Sequence, residues 1–538
     1  MINVSIEFQR YRKYSQTANS IAVGKAFYQE RLYSEKDLTD MMSHWQSEEQ
    51  FCRAIKELNG FYALIQFNER QLFAAVDRVR SIPLFYGQKG NNFFLSDSAE
   101  WVRQQVGNHE MDETAKQEFL LTGYVTGSDT LYPDVKQLQA GEALCVDDNK
   151  NQLSVKTYRY YRFIHKYEKN QTLEESMEEL DHVLVGMFNR LIQVADGRTI
   201  VVPLSGGFDS RLIVLMLKRL GYNNVIAYTY GCLGIAEAEV SRHVAASLGI
   251  RWEFVTYNNQ LWYELYNSNH MKLYQTLAAG LSSTIVIQDF PAVHIMTKNN
   301  IINGDSIFVP GHSADLLAGS RSISFPKIYS TKLVNDFKVI ESVKKRHYSL
   351  TNVREQKSIY INKRVISVLE PIRQFPDNAS AFESWDLSER QAKFIINSVR
   401  IYEFMGYQWW LPFWDEKFMS YWEKIPLEYR VRQLLYKQYV DKLYREVTGE
   451  APPHLINNRS TIDNIENVIK TSLKKNKLTN YILDKSGLDK GHLKRKYNSE
   501  PMAFYGVISE EDFIRLKPTD IDYLLALLYI EVLNNREH

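Results

Sequence analysis

At 538 residues the chain has room for two to four domains, and 44% hydrophobic with 13% aromatic residues is ample for large buried cores. Lys+Arg 65 against Asp+Glu 64 leaves a formal charge of +1, which argues against nucleic acid or an anionic membrane as the main partner. Three widely spaced cysteines, Cys52, Cys145 and Cys232, exclude a disulfide framework and a cysteine-based zinc site. With no membrane-length apolar run and no signal-peptide core, a soluble cytoplasmic protein is expected.

Residues 1 to about 160 carry short alternating segments separated by turn signals. Phe61 to Phe67, Leu72 to Val76, Asn92 to Ser96 and Gly141 to Val146 are expected as strands, and Asp112 to Leu121 as a helix. This pattern predicts an α+β layered domain. Asp147 to Asn170 reads as a polar, irregular linker with a short strand around Tyr158 to Phe163. Thr172-Leu173-Glu174-Glu175 is a capping box, and Leu173, Met177, Leu180, Leu184, Met187 and Leu191 then mark one face of a long helix.

That helix leads to the apolar run Thr199 to Leu204, a buried strand, followed by Ser205-Gly206-Gly207-Phe208-Asp209-Ser210-Arg211. Asp209 to Leu220 is expected as a helix stopped by Gly221. Strand, Gly-rich turn and helix together hold a phosphate: glycines let backbone N–H groups approach an anion, and the helix start adds partial positive charge. Ser205 and Ser210 can donate hydrogen bonds, and Asp209 can hold a divalent cation against the phosphates. A Walker loop is excluded, because no Gly-Lys-Ser/Thr ending follows.

Val225 to Tyr230 and Trp252 to Thr256 are expected as further strands, with a helix over Ala236 to Leu248 ending at Gly249. Such repeats give parallel strands that bind ligands at their carboxyl ends, here at Ser205–Ser210 and Tyr228–Gly231. The apolar run Ser306 to Val309 ends in Pro310-Gly311-His312-Ser313-Ala314-Asp315. The last third is expected to be mostly helical, with an aromatic island over Arg400 to Asp415, a Lys-rich middle from Lys470 to Lys496 and an apolar closing helix over Ile521 to Leu533. Trp409, Trp410 and Trp414 suit either an aromatic wall for sugar or ring recognition or plain core packing.

Ser-Gly-Gly-x-Asp-Ser resembles the PP-loop of the ATP pyrophosphatase family. Leu58 to Ala63, Asp77-Arg78, Ile82 to Tyr86, Phe94 to Ser98, Thr130 to Tyr132 and Gln139 to Glu142 resemble, in order, the glutaminase domain of the asparagine synthetase family. Gly311, Asp315 and Gly319 resemble the family's second loop, and Arg400, Gly406, Pro412, Phe413 and Asp415 a later segment. The resemblance implies an Ntn-hydrolase-like, glutaminase-type domain over 1–160 and a Rossmann-like α/β PP-loop synthetase domain over 171–538. The family's terminal nucleophilic cysteine is replaced by Met1-Ile2, and its Arg-Gly-Pro-Asp string is absent, so no glutaminase activity is expected.

The resemblance further implies ATP and Mg²⁺ as cofactors, with adenine near Leu204, Tyr228 and Tyr230. Phosphates would lie at Ser205, Gly206, Gly207, Asp209, Ser210, Arg211 and Gly311, and magnesium between Asp209 and Asp315. His312 stands where relatives carry Glu or Tyr, and is expected as either a base working near neutral pH, with Glu403 as carboxylate partner, or a structural residue. Arg400 is expected in the acceptor region, and Arg432 near the family's charge-stabilising lysine; Gln408 and Trp410 depart from the family's Glu and Arg there. The implied function is an AMP-forming amide ligase acting on a small carboxylate with ammonia or an amine, the preferred case being amidation of a uronic-acid sugar in surface-polysaccharide biosynthesis. Intramolecular amide closure, peptide macrocyclisation and a silent ATP-binding scaffold are the alternatives; a homodimer is a further expectation.

Overall fold

The computed structural model describes residues 3–9, 12–45, 47–149, 152–168, 171–330, 333–351, 355–453 and 488–536. Met1, Ile2 and most of the Lys-rich stretch from Lys470 therefore lie outside the described residues.

Two sheets build the first domain. One has the order β1 (Asn3–Glu7), β8 (Asn92–Ser96), β7 (Phe85–Lys89), β9 (Lys136–Gln137). The other runs β11 (Gln152–Arg159), β10 (Glu142–Asn149), β6 (Gln71–Val76), β5 (Asn59–Phe67), β3 (Ser20–Tyr28), β2 (Tyr14–Gln16), with β4 (Arg31–Tyr33) paired to β3. Side chains alternate along β5. Ala63 and Ile65 face Phe93, Leu95 and Leu84 between the sheets, while Tyr62 and Leu64 face Phe51 and Ile55 of α2 (Glu48–Glu57) and Leu38 and Met42 of α1 (Glu35–Met42). Burial on both faces is why this strand reads as an unbroken apolar run.

One expectation is corrected here. Much of the supposed linker is a hairpin: β10 and β11 pair antiparallel from Glu142↔Arg159 to Asn149↔Gln152. β11 is an edge strand with mostly half-exposed or exposed side chains, so its composition is polar. Residues 161–168 then lead on without regular structure, and α5 (Leu173–Ala195) opens on the Thr172 capping box.

The second domain is built on a parallel sheet of order β14 (Arg251–Thr256), β13 (Val225–Gly231), β12 (Ile200–Pro203), β15 (Ile307–Phe308), β16 (Gln408–Trp409). β12 is central and fully apolar up to Pro203, and α6 (Phe208–Arg219) and α7 (Ala236–Leu248) follow β12 and β13. β16, two residues within the aromatic island, pairs in register with β15 through Ile307↔Gln408 and Phe308↔Trp409. Among the described residues the rest is mostly helical, ending in Ile521–Arg536. Asp415 ties the domains together: it accepts two 2.8 Å bonds from Arg190 of α5 and one of 2.9 Å from Asn59 of β5. Among the described residues no helix is long and apolar enough to cross a membrane.

Candidate functional site

At the carboxyl end of β12 the chain turns through Leu204–Gly207 into α6. Leu204 N–H bonds the Tyr228 carbonyl at 2.8 Å, while its own carbonyl accepts from Thr229 Oγ1 and Ser241 Oγ at 2.7 and 2.9 Å. The turn is thus fastened to β13 and to α7. Ser210 Oγ accepts from Ser205 N–H at 3.0 Å, and Ser205 Oγ accepts from Gly207 N–H at 3.2 Å, leaving Ser205 exposed. No side chain caps the start of α6 at Gly207. An uncapped helix start behind a Gly-Gly turn is an anion cradle. Arg211, 1% exposed, braces it from below by donating to the Gly206 carbonyl at 3.3 Å.

The second loop is pressed against this cradle. A Cβ on Gly311 would lie 2.8 Å from Ser210 N and 3.0 Å from Asp209 C, so only glycine allows the approach. Asp315 N–H then donates to Asp209 Oδ2 at 3.1 Å, and the Tyr436 hydroxyl donates to Asp209 Oδ1 at 2.8 Å. Burial, and then the negative charge of Asp315, push the Asp209 carboxyl well above the usual carboxylate range. Among the described residues no cation forms an ion pair with Asp209 or Asp315. Two hard, unpaired carboxylates beside a phosphate-type cradle fit a divalent cation such as Mg²⁺.

His312 lies on the same loop. Its Nε2 is 3.4 Å from Ser398 Oγ, and its Nδ1 has no hydrogen-bond partner. Burial pushes the imidazole down to about 4, so it is neutral at pH 7, which departs from the expected titration near neutrality. Ser313, at φ 71, donates to Gln391 Oε1 at 2.6 Å. Gln391 belongs to a π-helical run, Leu387–Ile395, and Ser398 to the 3₁₀ turn that follows it. This wound segment supports the loop from behind, as such segments often do at functional sites.

Several expected residues lie elsewhere. The Glu403 carboxylate is not paired with His312; it accepts from Arg400 at 2.7 Å, Trp409 Nε1 at 2.9 Å and Arg12 at 3.1 Å. Burial alone would raise Glu403, but Arg12 and Arg400 outweigh it and hold the carboxyl below its usual range. Arg400 also donates to the Ser81 carbonyl. Both residues therefore tie the two domains together, because the helix Arg400–Phe404 turns its i,i+3 pair toward the first domain. Trp409 and Trp410 pack on Phe61 of β5, with centroids 5.3 and 4.7 Å apart, and Trp414 is buried, so the aromatic residues do not wall the nucleotide side.

Arg432 is exposed at the rim, its backbone N–H bonded to Ser322 Oγ at 2.7 Å, beside Gln433, whose Nε2 lies 3.4 Å from the Asp315 carbonyl. The rings of Tyr228 and Tyr230 are engaged: Tyr228 OH donates to Asp289 at 2.9 Å, and Tyr230 stacks on Tyr257 with centroids 5.0 Å apart. The Tyr228 carbonyl is taken as well, by the Leu204 N–H. Sequence reasoning missed Tyr436, Gln391 and Asp289, since only the fold brings these scattered residues to the loops.

Residues 31–161 match the glutamine amidotransferase domain family, and residues 191–285 the asparagine synthase family. The chain is also similar to solved structures. Glutamine phosphoribosylpyrophosphate amidotransferase from B. subtilis shows 13% identity over 50% of this chain and 74% of that one, at TM-score 0.20. The NH3-dependent NAD synthetase from Campylobacter jejuni shows 16% identity over 36% and 93%, at TM-score 0.20. The glutamine-dependent NAD(+) synthetase from Cytophaga hutchinsonii shows 10% identity over 62% and 69%, at TM-score 0.19. No curated protein matches the chain.

The asparagine synthase match, with the loops just described, marks a carbon–nitrogen ligase of a family that uses ATP. An amidotransferase-type domain followed by a synthetase domain is, more narrowly, consistent with an asparagine synthetase-family protein.

Proposed function

We propose that the protein is an ATP- and Mg²⁺-dependent amide ligase that adenylates a small carboxylate and passes the acyl group to ammonia or an amine. The observation that carries this reading is the contact of Gly311 with Ser210, which brings Asp315 and Asp209 together beside the Ser205–Ser210 cradle. A substrate carboxylate oxygen attacks the α-phosphorus and pyrophosphate leaves; the amine nitrogen then attacks the acyl carbon, AMP leaves and the nitrogen sheds a proton. Backbone N–H groups at the uncapped α6 start hold the phosphate oxygens, with Ser205 donating at the rim. Asp209 and Asp315 would hold Mg²⁺, which would supply charge neutralisation at the phosphates. Leu204 and the Tyr228–Tyr230 backbone flank the adenine, and Arg432 is placed at the mouth. His312 is neutral, with its unpartnered Nδ1 buried away from the loop surface.

The carboxylate we favour is a uronic-acid sugar, on the sequence variants Gly311-His312-Ser313-Ala314-Asp315 and Leu411–Asp415. We further propose that the first domain lacks glutaminase activity. Among the cysteines, Cys52 contacts Tyr158 OH, Cys145 lies under α1 and α2, and Cys232 lies 3.6 Å from the Glu500 carbonyl. The test is a carboxylate carrying a heavy-oxygen label, incubated with ATP, Mg²⁺ and ammonium. One labelled oxygen should appear in AMP. Formation of ADP with labelled phosphate would overturn the reading, and glutamate release from glutamine would overturn the second claim.

A further inference from the structure

The aromatic island faces a second cavity. It has a volume of about 490 Å³, lies between the domains, and is lined by Lys25, Phe61, Gln408, Trp409 and Trp410. Its floor includes Arg198, Asp305 and Tyr407, which precede or begin β12, β15 and β16, so it opens at the amino ends of the strands whose carboxyl ends carry the PP-loop. β12 alone separates the two ends by roughly 10 Å, at about 3.3 Å per residue. A cavity of this size at a domain boundary, with aromatic rings on one wall and both cations and the carboxylates of Glu35, Asp305 and Glu403 in its lining, has room for a small molecule.

Its charges are unevenly satisfied. The carboxylate of Glu403 on one wall is saturated by Arg12, Arg400 and Trp409. Arg198 spends its guanidinium on the Ala195 and Val194 carbonyls. Lys25, half-buried on β3, has among the described residues one hydrogen bond, a long 3.4 Å contact to Gln408 Oε1. Burial lowers its pKa; Glu35 opposes this, and Arg198 and Lys13 add to it. Lys25 is thus an ammonium with donors to spare, among the cations Lys13 and Arg198 and the carboxylates Glu35 and Asp305, under an aromatic wall made by Phe61 and Trp409.

We propose that this interdomain cavity binds a small organic carboxylate with an apolar or ring-shaped body, its charge on Lys25 and its body against Phe61 and Trp409. The site is separate from the nucleotide site. It is linked to it through β12, which leads from Arg198 to the Ser205 turn, and through the β15–β16 pair, whose first strand runs on through Val309 and Pro310 to Gly311. An occupant there bridges β3 of one domain and β16 of the other.

The test is calorimetric titration of the full chain, without ATP, with sodium benzoate and sodium glutarate, against sodium chloride at matched ionic strength. At least one carboxylate should bind with heat beyond chloride. Lys25→Met should weaken it about tenfold or more, and Lys25→Arg should keep it within about threefold. Asp315→Asn should leave the affinity unchanged, which separates this site from the acceptor side of the ligase. Binding of neither probe above chloride, equal binding by Lys25→Met, or loss in Asp315→Asn would each overturn the proposal. Because no ATP is present, failure here leaves the ligase reading standing, and the reverse also holds.

Discussion

The hydroxyl of Tyr436 donates to Asp209 Oδ1 at 2.8 Å while the Asp315 N–H occupies Oδ2 at 3.1 Å. One carboxylate at the start of α6 is therefore oriented from two directions, by the helix Leu434–Thr448 and by the loop after β15. Burial, with Asp209 as neighbour, pushes the Tyr436 hydroxyl well above its ordinary pKa, so it stays a donor across the working pH range. Tyr436→Phe should leave the fold intact and raise the Mg²⁺ concentration for half-maximal pyrophosphate release by about tenfold, a lost hydrogen bond to a charged group being worth about 1.5–3 kcal/mol. A Mg²⁺ titration of the rate checks this; an unchanged midpoint removes Tyr436 from the site.

The Asp209–Asp315 pair should also be visible in stability. Asp209 has a raised folded pKa, from burial and then from Asp315, so its contribution is full below its ordinary value of 3.8 and is lost as pH rises. Metal-free protein should therefore be less stable at pH 8 than this pair's neutral form would allow. Asp315→Asn, without Mg²⁺ at pH 8, should gain about 1 kcal/mol, read as roughly 2–4 °C in Tm, while losing ligase activity. Calorimetry with and without Mg²⁺ checks this, and a lower Tm in Asp315→Asn contradicts it.

Much of the nucleotide side is legible from local chemistry. The apolar β12, the Ser205–Ser210 turn and the face of α6 are adjacent in the chain, and each determinant is of short range. Glu403, Arg400 and the tryptophans were legible as unusual but not as interdomain ties, because their meaning depends on Arg12 and Phe61, more than 300 residues earlier. β16 was missed because a two-residue strand has no period to detect. The β10–β11 hairpin was missed because an edge strand in water reads as a polar linker.

Glu403 separates catalysis from assembly. Glu403→Ala would remove the carboxylate shared by Arg400 and Arg12, the latter keeping its 2.6 Å pair with Asp97, and should cost about 1.5–3 kcal/mol. Its folded pKa is held down, so this stability is present above the ordinary carboxylate value of 4.5 and is lost as pH falls through the lower folded value. Denaturant melts of wild type and Glu403→Ala at two pH values test the assignment. Activity per folded molecule should hardly change; a hundredfold fall would return Glu403 to the chemistry.

His312 should show itself on the acid side. With its pKa lowered from 6.5 to about 4 by burial, the unfolded chain binds the extra proton first, so stability falls as pH drops from about 6.5 toward 4. His312→Gln should flatten that fall by up to about 1.4 kcal/mol per pH unit. Melts across this range read the difference, and parallel curves for the two proteins would contradict the buried, neutral state.

The central claim is α/β cleavage of ATP by two loops meeting at Gly311, and pyrophosphate release tests it most directly. Wild-type protein with ATP, Mg²⁺, ammonium and a panel of carboxylates that includes glucuronate should release pyrophosphate and AMP in equal amounts. Asp315→Asn, folded and still binding ATP, should fall by about a hundredfold or more. Release of ADP in place of pyrophosphate, or an Asp315→Asn rate equal to wild type, would contradict the account. So would ATP binding with no pyrophosphate from any carboxylate in the panel.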